Sequence, residues 1–500
     1  MQQVPPYLTQ QLDDVMSSLL AFKPEFCLAG LFLLVLGIDL IYRKNSGKAC
    51  RMLSCAGMLL VLAADLGQYL IFKEQGRFLF INNLILNHDN IVLKMIIDAV
   101  TFTLLVYFPW DYQLKTHKKG LGDAYTIIIA SVLGLHLMVM SATLLTIFLS
   151  IEMVSIASYL LVAYRTESNF SAEAALKYVL FGMAASAVML YGISLFYGFS
   201  GSINLYNPYM VANLQAADPT VIVLAVVLIL AGIGFKLSFV PLHFWVPDVY
   251  QGASTPVTTY LSTLPKIAGF GLLVTFLRPF MFNPTWSRFD FTLILSIAAI
   301  ITMIAGNFAA IWQQNVKRIL AYSSVGHTGF ALMAIVTFTP QSMGALSFYL
   351  IVYAIANIGV LGLATYFANA MQAHTVNDYK GLGTKYPIAS VCFVVLLISL
   401  TGIPVSAGFN AKVLVFSSVY EVYQHGHNDI MLALLVTGAV TTVVSLFYYL
   451  KIPLNLFLRK EDTVRNHYPA VSKDLLVMIV ILSLIVVVLG IFPDALANLL

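Results

Sequence analysis

Fourteen apolar runs, each long enough to cross a lipid bilayer as a helix, follow one another along this chain. They fall near 24–42, 49–72, 91–110, 123–140, 142–164, 172–199, 219–249, 256–277, 291–312, 316–338, 341–371, 388–424, 429–457 and 473–495. A bilayer core of about 30 Å needs about 20 helical residues, and only helices or closed barrels satisfy their backbone polar groups within lipid. The period-two alternation of barrel strands is absent. Charged residues make up 10% of the chain, far below the roughly 25% of soluble domains. The chain therefore reads as an all-α polytopic membrane protein.

Polar loops punctuate the runs. "RKNSGKACR" separates the first two, "KTHKKGLGD" the third and fourth, and "RKEDTVRNHYPAVSKD" the last two. In "NFSAEAALK", Ser171 reads as a helix N-cap with Glu173 in the first turn. Loops after odd-numbered spans hold Arg43, Lys44, Lys48, Arg51, Lys115, Lys118, Lys119, Arg165, Lys317, Arg318, Lys380, Lys385, Arg459, Lys460, Arg465 and Lys473. The other side holds Lys23, Lys73, Arg77, Arg278 and Arg288. The positive-inside rule makes the first set cytoplasmic and turns both termini outward. The first residues, "MQQVPPYLTQQLDD", lack a basic n-region, which argues against a cleaved signal peptide.

The net charge of +4 follows this topology, so no nucleic-acid partner is expected. Cys27, Cys50, Cys55 and Cys392 lack the further Cys or His spacing of an iron–sulfur or zinc site. No dinucleotide fingerprint or Walker loop appears. If the protein takes part in redox chemistry, the cofactors belong to its partners.

Ionisable residues within the spans carry the functional signal, since a mid-span lysine costs about 2.5–3.5 kcal/mol on insertion scales. Six lysines lie inside or at the edges of spans: Lys94, Lys177, Lys236, Lys266, Lys412 and Lys451. Lys94 and Asp98, four apart, read as a local neutralising pair, as do Glu173 and Lys177. Asp39 sits near a span end, Glu421 near an outward end that could line an exit, and Asp65 lies deeper with no reason in the sequence. Glu152, in "TLLTIFLSIEMVSIASYLLVAY", is either a protonated acid bonded to a hydroxyl such as Ser155 or the partner of a lysine from another span. Lys236 is the natural candidate, at comparable depth in the seventh span. A neighbouring carboxylate favours a charged lysine and burial a neutral one, which is a chemical basis for moving protons.

Pro241 interrupts the seventh span, and His243 follows Lys236 by seven residues, on the same face of a continuous helix. Lys266 directly follows Pro265 in mid-span, and Lys412 follows a second interruption at Gly402 and Pro404; snorkelling explains neither lysine. His327, in "RILAYSSVGHTGFALMA", reads equally as a relay group or a structural histidine. "GIGFKLSFVP" and "GIPVSAGFNAKV" echo each other five spans apart, an odd number, so a duplicated unit would be inverted.

Three runs, "GFKLSFVPLHFWVPDVYQGASTPV", "KRILAYSSVGHTGF" and "LTGIPVSAGFNAK", resemble the antiporter-like membrane subunits of respiratory complex I, relatives of Mrp-type sodium/proton antiporter subunits. The resemblance covers all fourteen spans. "SAEAALKYVLFGMAASAVMLYGISLFYG" looks like the N type, as do Lys412 in place of a glutamate and a chain that ends after the fourteenth span. The third span and its flanks, "NHDNIVLKMIIDAVTFTLLVYFPWDYQ", match only loosely.

The resemblance implies two inverted five-helix repeats with broken helices 7 and 12. The divisions would be 1–122 (three helices), 123–277 and 291–457 (the repeats) and 473–495 (a last helix). It makes Glu152 and Lys236 a charge pair, Lys266 and Lys412 the next stations, His243 and His327 members of a hydrated axis, and Lys177 an inlet residue. It further implies proton translocation from the cytoplasm outward across a bacterial inner membrane, driven by electron transfer in partner subunits. Those partners would hold FMN, iron–sulfur clusters and quinone, and would include M-type and K-type neighbours. Rival readings are a freestanding Mrp-like antiporter subunit, the equivalent subunit of a membrane hydrogenase or photosynthetic complex, and a non-pumping scaffold.

Overall fold

The computed structural model describes residues 6–72, 76–117, 120–165, 167–460, 472–498 and 500. Lys73, Lys118, Lys119 and Arg465, used above to set orientation, lie outside the described residues. Thirteen of the described helices are long and apolar enough to cross a membrane. Four come first: α1 (Pro6–Ala21), which is not among the thirteen, then α2 (Lys23–Tyr42), α3 (Gly47–Phe72) and, after a small hairpin, α4 (His88–Tyr107). The hairpin pairs β1 (Arg77–Leu79) with β2 (Leu84–Leu86) antiparallel, Arg77 opposite Leu86. Neither α1 nor the hairpin was legible as a span, α1 because its polar residues dilute a short run and the hairpin because its strands are three residues each.

The next helices are α5 (Gly122–Met140), α6 (Leu144–Val162), α7 (Asn169–Ser200), α8 (Pro219–Leu237), α9 (Trp245–Gly252) and α10 (Thr255–Met281). Then follow α11 (Phe291–Ile311), α12 (Val316–Val336), α13 (Pro340–Met371), α14 (Pro387–Thr401), α15 (Ala407–Gly426), α16 (Asp429–Phe457) and α17 (Lys473–Ile491). The expected seventh run is occupied by α8 and α9 and the twelfth by α14 and α15; α14, at 15 residues, is shorter than a span. Elsewhere the expected boundaries hold to within a few residues.

Local chemistry explains the ends. Asp218 caps α8 through the amides of Thr220 and Val221, with Pro219 in the first turn where its missing N–H is harmless. Asn315 caps α12, and Thr339 and Ser342 cap α13 reciprocally. The cap of α7 is Ser168, which accepts from the Ser171 amide; Ser171 lies inside the helix and its hydroxyl donates to the Gly252 carbonyl at 2.8 Å. The expected cap was thus one turn late, because two serines compete in "SNFS" and the earlier one has the extended backbone that a cap needs.

The core sits around α10, which is buried along its whole apolar length, flanked by α12 and α13. α4, α5 and α13 all pack against it. α11 and α12 approach so closely that a Cβ on Gly306 would lie 2.5 Å from the Gly326 amide nitrogen. α2, α3 and α17 are peripheral and present apolar side chains outward, as lipid-facing helices do.

α14 ends at Gly402, whose φ of +84° is left-handed, and a Cβ there would meet the Lys412 side chain at 2.8 Å. Gly402→Ala should lower stability by about 1–2 kcal/mol from backbone strain alone. A melt with a thiol-reactive dye reads this directly, since Cys50 and Cys392 are buried; an unshifted melt would contradict the strain.

Candidate functional site

Three lysines from three helices lie buried in the interior: Lys236 in the last turn of α8, Lys266 in the middle of α10 and Lys412 in the second turn of α15. Among the described residues none has a carboxylate within 4.0 Å, whereas Lys94 and Lys177 each have two. Uncompensated buried ammonium groups are expensive, so their neutral surroundings matter.

Lys236 donates to the Ser155 hydroxyl of α6 at 3.2 Å. Glu152, one turn earlier on α6, instead accepts a short hydrogen bond from Ser186 of α7. The two residues meet at one junction of α6, α7 and α8, but they are held apart by separate hydroxyl partners. The hydroxyl expected on Glu152, that of Ser155, serves the lysine instead.

Beyond Lys236, α8 stops at Leu237. Ser238 is left-handed (φ 62°) and the chain runs without regular helix to Phe244. This segment is anchored at both ends: the Val240 amide donates to Thr302 at 3.0 Å, and the Trp245 indole donates to the Phe235 carbonyl at 3.1 Å. The Leu237 carbonyl, without a helical partner, accepts from the Thr328 hydroxyl at 3.1 Å. Thr328 in turn accepts from Lys266 at 2.9 Å, and Lys266 also donates to the Ser324 carbonyl (2.8 Å) and hydroxyl (2.6 Å). Three acceptors thus match the three N–H groups of the ammonium.

From there the polar line continues across α12. Tyr353 donates to Ser324 at 2.8 Å, and the His327 ring lies between the Tyr349 and Tyr449 hydroxyls at 2.7 and 3.2 Å. A cavity of about 10 Å³ separates His327 from Lys412, room for about one water. Lys412 donates to the Thr401 carbonyl at 2.8 Å, the last of α14, and lies 4.5 Å above the Phe330 ring.

Lys177 pairs with Glu173 at 2.7 Å, as its spacing suggests, and also with Asp248 at 2.8 Å, 71 residues away. Asp248 is shared with Arg318 at 2.7 Å, and these groups line a cavity of about 190 Å³. His243 falls in the irregular segment, so the seven-residue spacing does not place it on the face of Lys236. Its ring is half-buried and its Nδ1 has no hydrogen-bond partner among the described residues.

Sequence reasoning misjudged Lys94 and Asp98. Lys94 pairs with Glu25 and Asp65 at 2.6 and 2.7 Å, while Asp98 faces His136 at 3.1 Å. A lysine placed before its acid has the weaker helical orientation, and partners on neighbouring helices win. Asp65 thereby gains the explanation it lacked. Sequence reasoning also missed Ser324, Thr328, Tyr349, Tyr353 and Tyr449, which bear no charge to mark them. Glu25 and His136 could have been found as ionisable residues within spans.

Buried lysines held by hydroxyls and carbonyls inside a bundle of membrane-length helices fit an antiporter-type membrane subunit. The family model described as NADH:quinone oxidoreductase/Mrp antiporter, TM, matches residues 141–445, and the chain belongs to that family. It is 38% identical over 449 residues to NADH-quinone oxidoreductase subunit N 2 of Chloroherpeton thalassium, covering 88% of this chain and 86% of that protein. It is 33% identical to NADH-quinone oxidoreductase subunit N of Ruthia magnifica, covering 96% of each. Among solved structures, a chain of respiratory complex I from Thermus thermophilus with bound aureothin aligns with a TM-score of 0.77 and 27% identity, covering 95% of this chain and 98% of that one. A chain of the Mrp complex from Dietzia shares the fold, with a TM-score of 0.78 at 18% identity over 96% of each chain.

Thr328→Val keeps the shape and removes the hydroxyl between Leu237 and Lys266. Stability should fall by about 1–3 kcal/mol, the cost of leaving buried groups unsatisfied, and Thr328→Ser should restore most of it. Equal thermal unfolding of the Val and Ser variants would remove Thr328 from the line.

Proposed function

We propose that this chain is the N-type proton-translocating subunit of an NADH:quinone oxidoreductase. In this reading it moves protons from the cytoplasm outward across a bacterial inner membrane, with both termini on the outer side. FMN, iron–sulfur clusters and quinone reside in partner subunits, and M-type and K-type membrane subunits are its neighbours. The observation that carries the reading is the set of three buried lysines without a carboxylate partner among the described residues, one of them, Lys412, tied directly to a carbonyl where a helix ends. Identity with curated N subunits over nearly the whole chain supports the assignment to complex I rather than to a freestanding antiporter.

The chain would comprise three helices in 1–122, two inverted five-helix repeats in 123–277 and 291–457, and a fourteenth span in 473–495. In this reading α8 and α9 are the broken seventh span and α14 and α15 the broken twelfth. Lys177, with Asp248 and Arg318, stands at the cytoplasmic inlet. Glu152 and Lys236 form the switchable pair: closed, the carboxylate stabilises the charged lysine; open, with Glu152 on Ser186, the lysine is free to pass its proton on. The transfer then runs through His243 and water to Lys266, along Ser324, Tyr353 and His327 to Lys412, and outward.

Each elementary charge moved against 100 mV costs about 2.3 kcal/mol, so closing or opening the pair must change proton affinity by more than a unit or two, at about 1.4 kcal/mol per unit. Lys236→Ala in the assembled complex, reconstituted in vesicles, should lower proton uptake per quinone reduced while electron transfer persists. Uptake that stays at the wild-type ratio sinks the role of Lys236.

A further inference from the structure

Away from the three lysines, α2 to α5 enclose a second charged cluster. Glu25 lies in the first turn of α2, Asp65 and Gln68 near the end of α3, Lys94 and Asp98 in the middle of α4, and His136 near the end of α5. All six side chains are buried. The Lys94 ammonium is 2.6 Å from Glu25 Oε1 and 2.7 Å from Asp65 Oδ1, and it donates to Gln68 Oε1 at 2.8 Å. The His136 ring faces Glu25 Oε1 through Nδ1 at 3.2 Å and Asp98 Oδ1 through Nε2 at 3.1 Å.

The charges do not cancel. Three carboxylates oppose one ammonium, and a surplus of two buried negative charges costs several kcal/mol per ion. Two protons restore neutrality. His136 accounts for one, because only an imidazolium donates through both nitrogens, and each of its nitrogens faces a carboxylate oxygen. The other belongs on a carboxyl group. Glu25 Oε2, Asp65 Oδ2 and Asp98 Oδ2 are all buried with no hydrogen-bond partner among the described residues, but Glu25 Oε1 already faces both cations, which leaves Asp65 and Asp98 as the acids for the second proton. One proton shared by these two acids would satisfy both.

A metal ion is the competing occupant, since Glu25, Asp65 and His136 converge closely enough to ligate one. The Lys94 ammonium, however, already stands between Glu25 and Asp65 where that cation would sit. Among the described residues, the packed helices bring no further cation to the cluster. α10 presents Gly271 against Leu93 and Val139, and Thr275, whose hydroxyl donates to the Val139 carbonyl at 3.3 Å. Arg278 of α10 is engaged with Asp89 at 2.6 Å, His88 lies 3.7 Å from the same Asp89, and Lys23 is exposed.

We propose that this cluster is a proton-binding site separate from the line of Lys236, Lys266 and Lys412, holding one exchangeable proton between Asp65 and Asp98. Its occupancy sets the charge facing the C-terminal half of α10, so a proton gained or lost there acts on the helix that carries Lys266. The sequence reading had paired Lys94 with Asp98 and left no such site.

The test is difference infrared spectroscopy of the assembled membrane complex, wild type against Asp65→Asn and Asp98→Asn, in light and heavy water. A carboxylic-acid C=O band that shifts in heavy water should be present in wild type and absent from both variants. Each variant leaves the cluster neutral without that proton, so assembly should survive; if it does not, the combined change Asp65→Asn, Asp98→Asn and Lys94→Met leaves Glu25 and His136 as a neutral pair without that proton and gives the same reading. A band that persists in the variants, or that heavy water never shifts, overturns the proposal. So does retention of radioactive sodium by wild type that Asp65→Asn abolishes, which would make the cluster a metal-ion site. Because the readout is protonation, the outcome is independent of whether Lys236→Ala impairs pumping.

Discussion

Helices that stop inside a membrane leave carbonyls with no backbone partner, and nothing in lipid can satisfy them. In this fold α8 and α14 end at Leu237 and Thr401, each close to a buried lysine. Lys412 binds the Thr401 carbonyl directly, and Lys266 reaches the Leu237 carbonyl through Thr328. At Thr401 the carbonyl gains a donor and the ammonium an acceptor, whereas the Leu237 carbonyl is satisfied by the hydroxyls of Thr328 and Ser238. The surrounding hydroxyls of Ser324, Thr328 and Tyr353 complete the coordination without a fixed negative charge. That absence matters, because a carboxylate at hydrogen-bond distance would hold the lysine charged. A lysine held only by neutral groups can change its protonation state when a distant charge moves.

The electrostatics therefore divide the molecule. From α6 onward the buried lysines Lys236, Lys266 and Lys412 have no carboxylate partner among the described residues, and Glu152 is engaged by Ser186. In the first helices the acids outnumber the cations and are locked into direct pairs with Lys94 and His136. α10 lies against both regions, packed on α4 and α5 and carrying Lys266 at its middle. It is thus the buried helix common to both regions.

Much of this was legible in the chain. The apolar runs anticipated nearly every helix boundary, since the length of a span is set by bilayer thickness rather than by tertiary contacts. The intramembrane lysines and Pro241 marked the unusual positions, and the "GIPVSAGFNAK" echo marked the second interruption. The failures have definite causes. Lys94 with Asp98 was read as a local pair because spacing on one helix says nothing about acids on α2 and α3. Ser171 was taken for a cap that Ser168 provides. The continuous-face argument for His243 failed because α8 ends at Leu237, before the spacing can apply.

By itself, then, the sequence determined a polytopic helical membrane protein, its span boundaries and the identity of its costly buried charges, because hydropathy and insertion energy are properties of residues in order. Which charges meet, which are left without a partner, and which hydroxyls join them were decided only by the tertiary structure. Those outcomes depend on distances of a few ångströms between helices far apart in the chain. Glu152 resting on Ser186, Lys236 on Ser155, and Asp65 beside Lys94 are facts of packing that no spacing rule contains.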